Sequence, residues 1–310
     1  FFAVLAFYAV HSPIQTTQEK WSKYRDKAEA SGISSEGYRM ERVLPIREVQ
    51  DNPIYGGLVE TMDDAVGIVL EELRKQGLDD NTIVIFTSDN GGVSSGDNYS
   101  TSNLPLRGGK GYQWEGGTRV PYFIKVPGYQ PGTSEYPVTG ADLYPTILDL
   151  LDLPLIPDQH QDGQSLKPLL SGEQTPNQRA LFWHYPHYGN QGGEPSSVLR
   201  HQQWKLIHYW EDNRNELYNL DTDVHEDHDL LVEKMEQGSK LEQKLLNYLS
   251  EMNVEFPLVD SLFDAAALEK RKAYLKNELK NNLEMKRKEV LSVNFEPDST
   301  WWGSQPVTID

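Results

Sequence analysis

The chain has 310 residues, enough for a large core and for one big domain or a big one plus a small one. A formal net charge of -18, a quarter of the residues charged and a mean hydropathy of -0.62 describe a soluble globular chain that repels nucleic acid and anionic membrane surfaces. There are no cysteines, which excludes disulfides, thiolate metal sites and a cysteine nucleophile within these residues.

Phe1 to Val10 is apolar except for the hydroxyl of Tyr8. The run is too short to span a membrane, and it lacks the basic lead and small-residue cleavage site of a signal peptide. Its Phe, Val and Tyr content predicts a buried strand of a parallel sheet, ending at His11-Ser12-Pro13. A buried strand that begins at residue 1 reads as a segment cut from something longer. Gln15 to Gly37 is polar with helical patches.

The spacing of Leu58, Val59, Met62, Val66, Val69, Leu70 and Leu73 predicts a helix from Ile54 to Gln76, with Gly77 at its C′ position. Asp79-Asp80-Asn81 forms a turn, and Thr82 to Thr87 reads as a second buried strand, reached by an α/β crossover. Ser88 to Gly117 is a long loop with eight glycines and scattered charges, a composition that favours function. Arg119 to Val126 is a third strand, Asp142 to Leu151 a short helix with Pro145 in its first turn, and Pro154 to Gln178 a connector.

Beyond Ala180 the pattern changes. Leu181 to Tyr185, Ser197 to Arg200, Gln203 to Tyr209 and Glu216 to Leu220 predict a small antiparallel sheet. Leu230 to Glu251 and Leu262 to Leu291 read as helices, the first with Leu230, Leu231, Met235, Leu241, Leu245, Leu246 and Leu249 buried. The basic stretch from Lys270 to Lys288 is interrupted by Glu278 and Glu284 and reads as a solvated helix face. Trp301-Trp302-Gly303 is expected to pack back onto the body.

Three motifs carry chemistry. Asp89-Asn90-Gly91-Gly92 ends a strand, where open α/β sheets bind ligands. Its carboxylate and amide are two hard oxygen donors, suited to Ca²⁺ or Mg²⁺. The same residues also make a good plain turn. Arg107-Gly108-Gly109-Lys110 can bring an oxyanion close to an ammonium, or be a flexible surface loop. His11 at a strand end can donate to an anion or protonate a leaving group, or be structural.

In this order, together with Glu115-Gly116-Gly117-Thr118-Arg119-Val120-Pro121, Asp142-Leu143-Tyr144-Pro145 and Asp162-Gly163-Gln164-Ser165, the motifs resemble the sulfatase family of the alkaline phosphatase superfamily. The resemblance covers about residues 1 to 250. It implies that Asp89 and Asn90 are ligands of a calcium ion, and that Lys110 binds the sulfate group and its bridging oxygen. It also implies that His11 stabilises or protonates the departing oxygen, with Arg107 in the same anion-binding loop. The family's nucleophile is a formylglycine made in a Cys/Ser-x-Pro-x-Arg signature, which these residues lack, as they lack the first pair of metal aspartates. Both are expected upstream of Phe1, so the chain by itself is expected to be inactive.

The substrate is expected to be a small-molecule or oligosaccharide sulfate ester, with no nucleic acid and no membrane span involved. His184 and His187, among aromatics, could line a pocket for a sulfated sugar or a seam between domains. The alternatives are a phosphatase or phosphonate hydrolase on the same scaffold, or a non-catalytic anion-binding remnant. Sulfatases with such motifs are often exported to the periplasm or secreted. The expected fold is α/β: an alkaline-phosphatase-like α/β/α sandwich with a mainly parallel sheet in residues 1-178, and a C-terminal α+β subdomain with an antiparallel sheet in residues 179-310.

Overall fold

The computed structural model describes residues 1–173 and 179–297. Helix α1 (Gln18–Ala30) starts at Thr17, whose hydroxyl accepts from the Lys20 amide at 3.2 Å. It packs on helix α2 (Pro53–Lys75), and the close approach needs Gly57, where a Cβ would stand 2.1 Å from the Thr16 hydroxyl. Asn52 caps α2, Pro53 pre-sets its first turn, and Gly77 ends it at φ +66°. The helix is where its periodicity puts it, but only Pro53, Ile54, Gly57 and Leu58 are fully buried; the rest of the apolar stripe is half-covered.

Between the two helices lies a short hairpin, β1 (Tyr38–Met40) and β2 (Pro45–Arg47), paired antiparallel. Strand β3 (Val84–Thr87) pairs antiparallel with β4 (Tyr122–Lys125), in the register Val84↔Lys125 to Thr87↔Tyr122. The expected parallel sheet is not shown among the described residues, where β3 and β4 bond to each other. One sequence expectation is corrected here. Residues 1–8 are exposed and form no strand. An apolar run signals a tendency to be buried, but a strand also needs a neighbour for its N–H and C=O groups.

After β4 come helix α4 (Leu143–Leu150) and helix α5 (Lys167–Ser171), following a one-turn helix α3 (Glu115–Thr118) in the glycine-rich loop. The C-terminal sheet is as expected: β5 (Leu181–Tyr185), β6 (Ser196–His201), β7 (Trp204–Tyr209) and β8 (Asn215–Asn219), antiparallel in sequence order. Alternation decides its two faces. Leu199, Leu206 and Leu217 pack on Leu241, Leu245 and Leu249 of helix α6 (Met235–Glu251). Val198, Ile207, Tyr209 and Tyr218 pack on Ile46, Tyr112 and Trp114. One core cluster therefore joins the C-terminal sheet to the glycine-rich loop. Met235, expected in the α6 stripe, is exposed at the helix start.

Helix α7 (Ala265–Tyr274) continues through a wider turn into α8 (Lys280–Leu291), which returns to the first helices. Trp21 donates to the Val290 carbonyl at 3.1 Å, and Arg287 pairs with Asp51 at 2.5 Å. No helix among the described residues is long and apolar enough to cross a membrane. The Trp301-Trp302-Gly303 segment lies outside the described residues.

Candidate active site

Strand β3 runs directly into Ser88-Asp89-Asn90-Gly91-Gly92. The Asp89 carboxylate is exposed and accepts from the Asn90 amide at 2.7 Å, so the two side chains stand side by side. Ser88 donates to the Asn90 carbonyl at 2.9 Å and holds the turn. Gly91 donates to Gly117 at 3.0 Å, and a Cβ there would lie 1.7 Å from the Gly116 carbonyl oxygen. No other residue fits at that position.

The second loop lies against the first, backbone to backbone. The Lys110 amide donates to Gly92 O at 3.0 Å, and a Cβ on Gly109 would stand 2.3 Å from that same oxygen. Asn103 clasps both loops. Its Nδ2 donates to Gly92 O and Gly108 O, each at 2.9 Å, and its Oδ1 accepts from Gly92 N at 3.0 Å. The motifs at 89–92 and 107–110 are therefore held in one fixed relation.

Lys110 Nζ reaches His11 Nε2 at 3.2 Å. His11 Nδ1 faces the Ser12 carbonyl at 2.9 Å, an obligate acceptor, so Nδ1 carries the hydrogen and Nε2 faces the ammonium as acceptor. Among the described residues neither Asp89 nor Lys110 has an ion-pair partner of its own. A carboxylate–amide pair thus stands on one loop and an ammonium on the adjoining one, with the His11 imidazole brought to it from a third segment. The oxygen donors of Asp89 and Asn90 fit a hard divalent cation, and supply two of the six to eight ligands that calcium takes.

The structure does not bring Arg107 into this group. Its guanidinium turns inward, onto the Glu41 carboxylate at 2.8 and 3.1 Å and the Glu226 carbonyl at 2.6 Å, with Trp114 stacked 3.9 Å away. It anchors the loop that carries Lys110. Behind it lies a buried charge cluster: Lys205 from β7 bonds Glu115 at 3.0 Å and Glu226 at 2.9 Å, and Glu226 also accepts from the Glu115 amide at 2.6 Å. Burial pushes both carboxyls up. For Glu115 the charges of Lys205 and Arg200 outweigh it and hold the group below the usual range, whereas Glu226 stays above it.

His184 on β5 has both ring nitrogens engaged, Nδ1 with Ser197 Oγ at 2.7 Å and Nε2 with the Glu255 carbonyl at 2.8 Å. His187 is exposed and stands edge-on to Tyr185 at 5.3 Å. The β5–β6 connection carrying it is keyed onto the Lys110 loop: a Cβ on Gly193 would lie 1.9 Å from Gly111 O. Sequence reading missed Asn103, Glu41, Glu226 and Lys205. For Lys205 there was a signal, since a lysine between Trp204 and Leu206 in a buried strand must have an acidic partner. Asn103 gave none, being one of several polar residues in a loop.

A family model described as Sulfatase matches residues 1–153, and one described as N-sulphoglucosamine sulphohydrolase, C-terminal, matches residues 109–255. A "Sulfatase" of Formosa agariphila is 34% identical over 278 residues, 82% of this chain and 47% of that protein. The chain thus spans about half the length of this curated relative. The crystal structure of Ps i-CgsB superposes with a TM-score of 0.61 at 25% identity, over 89% of this chain and 55% of that one. The structure of BT4656 in complex with its substrate D-Glucosamine-2-N, 6-O-disulfate superposes with a TM-score of 0.51 at 28% identity, over 64% and 40%.

Proposed function

We propose that this chain, which belongs to the sulfatase family, carries the leaving-group side and half of the metal shell of a site that hydrolyses a sulfate ester. The observation that carries the proposal is the pair Lys110 Nζ and His11 Nε2, 99 residues apart in sequence and 3.2 Å apart in space. The family identity makes a sulfate ester the natural anion for it. The alcohol is a carbohydrate or an aryl alcohol. The complex of BT4656 with a disulfated glucosamine supports the carbohydrate.

Cleaving the sulfur–oxygen bond of an ester leaves its electrons on the bridging oxygen. The Lys110 ammonium places a point charge beside that oxygen as the charge develops. Lys110 and His11 face each other over one shared proton, so either can pass it to the departing alkoxide. Asp89 and Asn90 would hold Ca²⁺, with Mg²⁺ as the other hard cation of this type, and the ion would polarise the sulfate oxygens. The nucleophile, a formylglycine, is not among these residues. In the whole protein we place β3 and β4 in an α/β/α sandwich built on a parallel sheet. Residues 1–178 form the catalytic portion and 179–310 the C-terminal subdomain. His187 stands on the β5–β6 connection that packs against Gly111 and is the better placed of the two histidines for substrate, while His184 serves to hold its own surroundings.

The test is turnover by the whole protein of an aryl sulfate, a sugar sulfate and a phosphonate monoester. Sulfate esters are expected to be preferred, with Lys110→Ala and His11→Ala each lowering kcat about 10²–10³-fold. Preference for the phosphonate, or variants as active as the parent, would overturn the proposal. The 310 residues alone are expected to bind a sulfate ester without turning it over.

A further inference from the structure

Four separate segments close a ring of contacts in which the Lys110–His11 pair is one link. Next to His11, Ser12 Oγ accepts from Asn98 Nδ2 at 2.9 Å. Next to Asn98, Asp97 Oδ2 accepts from Gln191 Nε2 at 2.8 Å, and Asn190 Nδ2 reaches the other carboxylate oxygen at 3.4 Å. Gln191 in turn lies against Gly111, where a Cβ would stand 2.7 Å from the Gln191 Cβ. Gly111 is bonded to Lys110, and the ring is complete.

The ring is built rather than casual. Asp97 and Tyr99 hold φ of 37° and 49°, a region that side chains other than glycine enter at a cost, and such residues gather at ligand sites. The strained loop is anchored below by buried Tyr99, whose carbonyl accepts from Arg47 at 3.3 Å. From the other side Ser95 donates to the Gln191 carbonyl, and a Cβ on Gly96 would stand 2.7 Å from the Asn190 carbonyl oxygen. Asp97, Asn98 and Asn190 nevertheless remain exposed at the rim, with Gln191 half-exposed.

We infer that Asp97 and Gln191 are specificity-determining residues that read the hydroxyl groups of a sugar ring bonded through the ester oxygen to the sulfate held at Lys110. This rests on the sulfatase reading of the site and names its substrate class. The alcohol must project from the bridging oxygen into whatever surrounds the Lys110–His11 pair. The ring to which the pair belongs offers a carboxylate that accepts and amides that donate and accept, the groups that pair with vicinal hydroxyls. A sterol or bare aryl ring offers these groups no hydrogen bond, whereas sugar hydroxyls do. The Asp97 charge also disfavours a second anionic substituent at that point, so the sugar is neutral where it meets Asp97.

The experiment is calorimetric titration of the 310-residue chain with glucosamine 6-sulfate, glucosamine and 4-nitrophenyl sulfate, in the parent and in Asp97→Ala, Gln191→Ala and Lys110→Ala. The parent is expected to prefer the sugar sulfate over the aryl sulfate. Asp97→Ala and Gln191→Ala each lower that preference about tenfold, the scale of one lost hydrogen bond to a charged group. Should Asp97→Ala not fold, Asp97→Asn keeps the shape and removes the charge, and is read in the same way. An unchanged preference in a folded variant sinks the inference and leaves the sulfatase reading standing, provided Lys110→Ala weakens both sulfates. If neither sulfate binds the parent, the reading of the site fails and the inference falls with it.

Discussion

Asn103 and Gly92 exchange two hydrogen bonds, Gly92 N to Asn103 Oδ1 at 3.0 Å and Asn103 Nδ2 back to Gly92 O at 2.9 Å. Through its second donor the same amide holds Gly108. Together with the bond from the Lys110 amide to Gly92 O, this side chain holds the Asp89–Asn90 turn against the Lys110 loop, and its replacement separates positioning from chemistry.

Asn103→Ala removes the clasp and leaves Gly92 N and Gly108 O without these partners. A loss of about 1–3 kcal/mol in stability is expected, the cost of unpaired buried backbone groups. Denaturant unfolding reads it. Weaker sulfate-ester binding should accompany it, because the Lys110 backbone shares Gly92 O with the clasp. Unchanged stability would show that the loops are held by other contacts.

Lys205 is 1% exposed between Glu226 and Glu115, at 0% and 5%. Lys205→Met would leave the two carboxylates buried without their shared ammonium, at an expected cost of about 3–5 kcal/mol. In that variant Glu226, already held above the usual range by burial, is expected to ionise still less readily folded than unfolded. Folded values raised in this way give stability that is present at low pH and is lost as pH rises through them. Stability measured across acid and neutral pH should therefore fall with rising pH in the variant more steeply than in the parent.

Asp51 receives both Arg47 and Arg287, each at 2.5 Å. Burial raises its carboxyl, but the hydrogen bond from Arg287 and the charge of Arg47 prevail and hold it below the ordinary aspartate range. A depressed folded value gives stability that is present above the unfolded value and lost as pH falls through the folded one. Acid is therefore expected to loosen α8 from the β1–β2 hairpin. Hydrogen exchange over residues 280–291 checks this: protection relative to the intrinsic exchange rate should fall on acidification in the parent and be low at all pH in Asp51→Asn.

The two histidines of the β5 region should behave differently. His184→Ala breaks the link from Ser197 to the Glu255 carbonyl, so faster proteolysis after α6 is expected. His187→Ala touches only an exposed ring contact and should leave stability within about 0.5 kcal/mol. A drop in sugar-sulfate affinity confined to His187→Ala would place that ring at the substrate. A drop confined to His184→Ala would reverse the assignment.

Helices α2 and α6, the four-stranded C-terminal sheet and the family were legible in the sequence, because these rest on local periodicity and on motif order. The sequence also named both halves of the candidate site, Asp89 with Asn90 and His11 with Lys110, because their residue types carry the chemistry proposed for it. How those halves stand to each other was set by the folded chain. The contact of His11 with Lys110 and the clasp of Asn103 join residues from separate segments, and no local pattern records such a contact. It also turned Arg107 inward, since a guanidinium placed beside Glu41 and Trp114 has its donors taken by the protein. The apolar run at residues 1–10 shows the same limit from the other side. Its composition sets a tendency toward burial, but whether it becomes a strand is decided by the neighbours available to bond its backbone.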